Sequence, residues 1–230
     1  MRLDKFIAEN TGLTRSQASK ALKSGLVMVN NFIEKSGTKK ITPEDEIYFD
    51  GEKLTWVEVG QYFMLYKPQN YVCTHEEGNY PTVFEFFDHP LTTRLHCAGR
   101  LDVDTTGLVL LTDDGQWSHR ITSPKYLCDK TYLVTLADPV ESNYAQLLSQ
   151  GILLRGEKTL TKPASLEIID DYNVNLTISE GRYHQVKRMF AALGNKVIGL
   201  HRWRIGEVVL DENLEEGDLR PLTQQEMESF

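Results

Sequence analysis

One stretch constrains this chain more than any other. Ala98-Gly99-Arg100-Leu101-Asp102-Val103-Asp104-Thr105-Thr106-Gly107 is polar and turn-rich, and it runs directly into Leu108-Val109-Leu110-Leu111. A short apolar run behind a turn reads as a strand covered on both faces. Such a strand lies inside a sheet. The preceding loop therefore presents two carboxylates and a guanidinium from a rigid scaffold, a position that functional side chains favour. Taken alone, a lone Asp here is more commonly a turn residue capping its own backbone.

The surrounding pattern predicts strands at 62–66, 107–112, 131–136, 164–169 and 173–178, and helices at 139–150 and 182–193. Strands and helices mix without strict βαβ alternation, so an α+β fold is expected rather than a doubly wound one. In the last helix Val186, Met189, Phe190 and Leu193 recur at helical spacing and form one buried stripe. Lys187 lies at the edge of that stripe, where a long side chain can turn inward or snorkel outward.

The first fifty residues read as a separate small unit. Leu3, Phe6 and Ile7 share a helical face, and Thr14 with Gln17 forms a capping-box pattern for a second helix that stops at Gly25. Leu26-Val27-Met28-Val29 and Phe32-Ile33 flank Asn30-Asn31 as a hairpin, and Ile47-Tyr48-Phe49 is a further strand ending at the turn Asp50-Gly51. Residues 51–60 are expected to be the link, which places one domain at 1–58 and another at 59–230.

The net charge of -8 argues at first against a nucleic-acid partner. Its distribution argues otherwise. Residues 1–40 carry eight Lys and Arg against Asp4, Glu9 and Glu34, and residues 181–204 carry six with no acid, whereas 211–230 hold seven acids and only Arg220. Screening confines each field to about 10 Å, so local basic regions can meet phosphates on an acidic protein. Cys73, Cys97 and Cys128 are far apart and odd in number, and the six histidines show no ligand spacing, so reduced thiols and no metal are expected. No apolar run approaches the ~18 residues of a membrane span, and the N-terminus lacks a secretory core, which points to the cytoplasm.

Two resemblances sharpen this reading. Residues 1–50, through Arg2-Leu3-Asp4-Lys5-Phe6-Ile7-Ala8, the run from Ser16 and Ala18 to Leu22-Lys23-Ser24-Gly25, and Val27-x-Val29-Asn30-Asn31, resemble an S4-type RNA-binding domain. Gly99-Arg100-Leu101-Asp102-x-Asp104-Thr105-Thr106-Gly107-Leu108 is similar to the motif of the RsuA/RluA-type pseudouridine synthases, and is closest to the RsuA branch. Tyr66-Lys67-Pro68, Lys130-Thr131-Tyr132 and the run Glu180 to Met189 follow in the family's order. One departure is Asn70, two residues after Pro68, where the family often has glycine. Asn tolerates a left-handed backbone, so the turn is expected to survive.

The resemblance implies a larger catalytic domain with a mixed, mainly antiparallel sheet behind a small S4-like domain. It implies isomerisation of a uridine in 16S ribosomal RNA, at position 516 for the type member, on free RNA or on a small-subunit assembly intermediate, by a monomer without cofactor. Asp102 would be the catalytic carboxylate, Lys187 the cation that keeps it ionised from within about 4–6 Å, and Tyr132 the ring that packs on the flipped uracil. RNA contacts are expected from Arg100, Arg182, His184, Gln185 and Arg188, and phosphate contacts in the S4-like unit from Arg15, Lys20 and Lys23. Asp104 is expected to have a structural or hydrogen-bonding role, on an extended segment beside Asp102. The alternatives are a sister enzyme of large-subunit RNA, a non-catalytic assembly protein, and a small-molecule glycosidase.

Overall fold

The computed structural model describes residues 1–56, 60–76, 78–87 and 92–230. The chain divides into two compact units, Met1–Glu58 and Val59–Phe230. The expected boundary, and residues 57–59 of the expected link, lie outside the described residues.

In the first unit α1 (Leu3–Thr11) and α2 (Arg15–Lys23) are followed by β1 (Val27–Val29), β2 (Phe32–Ile33), β3 (Ile47–Phe49) and β4 (Glu52–Leu54). Thr14 and Gln17 form the capping box at the start of α2, with the Gln17 N–H donating to the Thr14 hydroxyl at 3.2 Å. Asn30 and Asn31 take positive φ of 51° and 68°, the geometry of a two-residue hairpin turn. The strands order as β2-β1-β3-β4 and all pair antiparallel. Leu3, Phe6, Ile7, Leu22, Val27, Val29 and Ile47 close the core between helices and sheet.

β4 corrects the expected link. Asp50 and Gly51 have φ of 50° and 84°, so the chain reverses in a tight turn and Glu52-Lys53-Leu54 pairs back on β3, with Leu54 opposite Ile47. The Asp-Gly turn was legible, but the strand behind it is too polar to read as one.

The second unit is built on β5 (Tyr62–Lys67), β6 (His96–Cys97), β7 (Thr106–Thr112), α3 (Gly115–Thr122), β8 (Lys130–Leu136), α4 (Tyr144–Gln150), β9 (Ser165–Ile168), β10 (Asn173–Ile178), α5 (Gln185–Ala192), β11 (Val197–Ile205), β12 (Val208–Val209), β13 (Leu219–Pro221) and α6 (Gln224–Glu228). The main sheet runs β13-β5-β7-β11-β8-β10-β9, with β6 on β7 and β12 on β11. Among the described strands only β7 and β11 pair in parallel. The mixed, mainly antiparallel α+β architecture is thus as expected.

β7 is buried on both faces. Leu108 and Leu110 pack on one side with Trp117 and Ile121 of α3, and Val109 and Leu111 on the other with Val134 and Phe190. The expected stripe of α5 faces this second side, with Met189 and Phe190 fully buried, each worth about 1.5–3 kcal/mol. The helix is shorter than expected, because His184 has φ 47° and ψ 39° and breaks the helical path.

Gly107 opens the sheet to β11. Its φ is 108°, and a Cβ there would sit 2.2 Å from the Arg202 carbonyl oxygen. Only glycine permits both the backbone angle and the contact. Gly107→Ala is expected to destabilise the chain by about 2–5 kcal/mol, measurable as a lowered midpoint in denaturant unfolding; an unchanged midpoint would show that β7 and β11 can separate freely.

Candidate active site

The loop that carries Asp102 is tethered from several sides. Lys67, at the end of β5, is fully buried. Its ammonium donates to the carbonyl oxygens of Pro68 and Thr105, both at 2.8 Å, and burial pushes its pKa below the ordinary value. Asn70 adopts φ 67° and gives its N–H to the Val103 carbonyl at 2.7 Å, so the turn tolerates Asn in place of glycine. The Leu101 N–H donates to Cys73 Sγ at 3.5 Å. Hydrogen bonding from Cys97 draws the Cys73 thiol down to about 7 and pushes Cys97 up.

The remaining tether is Arg202 of β11, which is 1% exposed. Its guanidinium donates to the carbonyls of Leu108 at 2.9 Å, Gly99 at 3.1 Å and Arg100 at 3.5 Å. A cation whose hydrogens point at carbonyls forms charge-assisted bonds. Arg202 also stands directly opposite Tyr132 in the β8–β11 pairing, with its guanidinium carbon 6.0 Å from the ring centre. One side chain thereby positions both the loop and the tyrosine.

Lys187 turns inward from α5. Its Nζ donates to Asp102 Oδ2 at 3.0 Å and to Asp104 Oδ1 at 2.6 Å. The expected extended segment is instead a turn at Val103 and Asp104, closed by the Thr105 N–H on the Asp102 carbonyl at 3.1 Å. The two carboxylates therefore share one ammonium, and Asp104 takes a hydrogen-bonding role beside Asp102. They differ in exposure: the Asp102 side chain is 30% exposed and that of Asp104 is 63%. Burial works against the charge on Lys187, but its hydrogen bonds to Asp104 and Asp102 outweigh that and raise its pKa. For Asp104 burial likewise opposes ionisation, and Lys187 overcomes it and lowers the carboxyl. His184 Nε2 lies 3.5 Å from Asp102 Oδ1.

Asp102, Tyr132, Thr105, Arg100, His184 and Lys187 line one recess of about 100 Å³. It adjoins a cleft of about 670 Å³, also bordered by Asp102, Tyr132 and Arg100 and extended by Thr74, Lys130 and Tyr183. Tyr132 is 8% exposed. The Thr105 hydroxyl is buried and has no hydrogen-bond partner among the described residues. Together these place a sheltered carboxylate, its counter-cation and a phenol around one small opening.

The other expected residues divide. Arg100 is exposed at the mouth of the recess. Arg182 is committed to the chain itself, donating to Glu157 at 3.2 Å, Thr159 O at 3.1 Å and Leu160 O at 2.6 Å. Arg188 is likewise committed, to Glu157 at 3.0 Å, Tyr183 O at 3.0 Å and Arg155 O at 3.0 Å. Both arginines pin the segment 155–160, because its carboxylate and carbonyls face them. Gln185 is buried, donates to Glu180 at 3.0 Å and accepts the Arg182 N–H at 2.8 Å, so it shapes the entry to α5. In the first unit Arg15 pairs with buried Asp4 at 3.0 Å while remaining 57% exposed, and Lys20 and Lys23 are exposed. Arg202 and Lys67 as braces were not foreseen. Nothing local distinguishes Arg202 from its basic neighbours, whereas the Tyr66-Lys67-Pro68 motif did mark Lys67.

A helical and hairpin unit with exposed cations, and a mixed sheet that offers a lysine-paired carboxylate beside a tyrosine, define an RNA-modifying enzyme built from two units. The family model for RNA pseudouridylate synthase matches residues 61–192, and that for the S4 domain matches residues 1–47. The chain is 74% identical over 230 residues to the ribosomal small subunit pseudouridine synthase A of Haemophilus influenzae, covering 100% of this chain and 99% of that one. It is 54% identical over 229 residues to the protein of the same name from Escherichia coli (strain K12), covering 100% and 99%. A solved structure described as a pseudouridylate synthase shares 72% identity with a TM-score of 0.74, covering 100% of this chain and 99% of that one. The chain belongs to the RNA pseudouridylate synthase family.

The shared ammonium sets a pH window. Asp104 has its folded pKa below the ordinary 3.8, so its contribution is present above that value and is lost as pH falls through the folded pKa. Lys187 has its folded pKa above 10.5, so its contribution is present below that value and is lost as pH rises through the folded pKa. The stability difference between the wild type and Lys187→Gln is expected to be flat between about pH 5 and 9 and to shrink outside that range. Denaturant unfolding across pH measures it in a His184→Gln background, which removes the imidazole 3.5 Å from Asp102, and a slope inside the window would refute the shared pair.

Proposed function

We propose that this chain isomerises one uridine of small-subunit ribosomal RNA to pseudouridine, with position 516 as the target. The observation that carries this reading is the 3.0 Å pair between Lys187 and Asp102 in a recess shared with Tyr132. The reaction breaks the bond between ribose C1′ and uracil N1, turns the base and joins C5 to C1′. It is an isomerisation, so electrons balance without an external oxidant or reductant. The C5 hydrogen leaves as a proton and N1 gains one.

Asp102 acts on the sugar or base as nucleophile, or stabilises positive charge developing at C1′. Both roles require a carboxylate, and the Lys187 ammonium lies 3.0 Å from it. Tyr132 packs on the uracil and its phenol takes part in proton removal. Arg202 acts through others as a positioning residue, holding the carbonyls of residues 99 and 100 and the Tyr132 ring. Asp104 shares the ammonium and so tunes how much of its charge Asp102 receives.

The uridine leaves its stack to enter the recess, at a cost of a few kcal/mol that loops and single strands reduce. Arg100 meets RNA at the mouth. Arg15, Lys20 and Lys23 hold flanking phosphates through the S4 unit, a contact that positions without reading sequence.

Pseudouridine mapping of ribosomal RNA from cells lacking the chain tests the assignment. One site in small-subunit RNA is expected to be missing, restored by wild type and not by Asp102→Asn. The Asp102→Asn protein is expected to keep RNA affinity within about threefold while losing at least about 10³-fold in turnover. Missing large-subunit sites would reject the substrate, and turnover surviving in Asp102→Asn would reject the mechanism.

A further inference from the structure

Tyr183 was absent from the expected site and is not used by the chemistry above. It is the second most exposed large hydrophobic side chain among the described residues, at 77%. Its ring stacks on the imidazole of His184, with centroids 3.8 Å apart and planes at 20°. Neighbouring side chains do not face each other along a helix or a strand. The left-handed step at His184, φ 47° and ψ 39°, turns them onto the same side. That conformation is costly for a residue with a Cβ, and observed strain of this kind at a site points to use.

The stack is also braced. Arg188 Nη1 donates to the Tyr183 carbonyl at 3.0 Å, the Arg188 N–H donates to the His184 carbonyl at 3.0 Å, and the Gln185 N–H donates to the Arg182 carbonyl at 3.1 Å. Arg188 is itself held by Glu157 and the Arg155 carbonyl. The Arg188 side chain thus fixes the backbone beneath the aromatic pair. A platform held in place before binding loses little freedom when a ligand arrives.

Its place is informative. His184 lines both the recess and the larger cleft, whereas Tyr183 lines only the cleft. His184 reaches within 3.5 Å of Asp102. His184 therefore stands beside the Asp102 carboxylate, and Tyr183 beyond it along the larger cleft. One face of the tyrosine ring is covered by the imidazole and the side chain is otherwise largely open.

We propose that the Tyr183–His184 stack is a second base platform, taking the nucleobase adjacent to the target uridine. The proposal rests on the RNA substrate assigned above. Flipping one base leaves its neighbour without a stacking partner, and the tyrosine face replaces that partner. Stacking of this kind accepts any base, so the platform contributes affinity and register rather than sequence choice.

The test uses the full chain and a small-subunit RNA fragment containing the target uridine. Wild-type protein is first assayed for conversion of the fragment. Dissociation constants are then measured in the Asp102→Asn background, so that turnover does not interfere. Adding Tyr183→Ala is expected to weaken binding about 5- to 100-fold, while Tyr183→Phe and Tyr183→Trp stay within about threefold. An abasic residue on one side of the target is expected to cause the same loss, and Tyr183→Ala is expected to add nothing to it. Tyr183 is exposed, so the fold tolerates each change, and circular dichroism checks this. Unchanged binding in Tyr183→Ala, or losses that multiply with both abasic flanks, overturns the platform alone. If wild type converts no uridine in the fragment and none in a small-subunit assembly intermediate, the assigned reaction falls and the platform falls with it.

Discussion

The second unit depends on the close approach of β7 and β11 at Gly107 and Arg202. These strands pair in parallel, with Arg202 opposite Gly107, inside a sheet that is otherwise antiparallel. The missing Cβ of Gly107 lets the Arg202 backbone close in, and the Arg202 side chain then turns back over the loop to hold three carbonyls. A guanidinium removed from water is tolerable only when its hydrogens are satisfied. The loop bearing Asp102 supplies two of those acceptors. Backbone contact and loop placement are therefore one event: separating the strands would strand a buried cation and release the loop together.

On that frame the electrostatics of the site are simple. A single ammonium faces two carboxylates, and the more sheltered of them lines the recess. The more exposed carboxylate competes for the ammonium at the shorter distance, 2.6 Å against 3.0 Å. The shared ammonium thus sets one cation against both carboxylates before any ligand arrives.

The basic stretch 181–204 divides its labour by burial. Lys187 serves the carboxylates, Arg182 and Arg188 clamp the segment 155–160, and Arg202 braces the loop. A chain with net charge of -8 can act on RNA because the cations that matter are placed individually and not spread as a field. The S4 unit follows the same economy: Asp4 is held by Arg2 and Arg15, and its carboxyl is kept below the ordinary value chiefly by the Arg2 hydrogen bond.

Much of this was legible in the residues. The capping box at Thr14, the turns at Asn30-Asn31 and Asp50-Gly51, the strand Asn173–Ile178 and the buried stripe of α5 all follow from local rules of backbone angle and apolar period. β11 did not follow, since Gly199, His201, Arg202 and Arg204 interrupt any apolar alternation. Residue order alone established which groups can carry charge and that Asp102 sits on a loop before a buried strand. The folded arrangement was needed to assign each cation its acceptor. Lys187 reaches Asp102 across 85 residues and Arg202 reaches Gly99 across 103. Pairing of that kind is set by distance in space, and local sequence patterns carry no record of it.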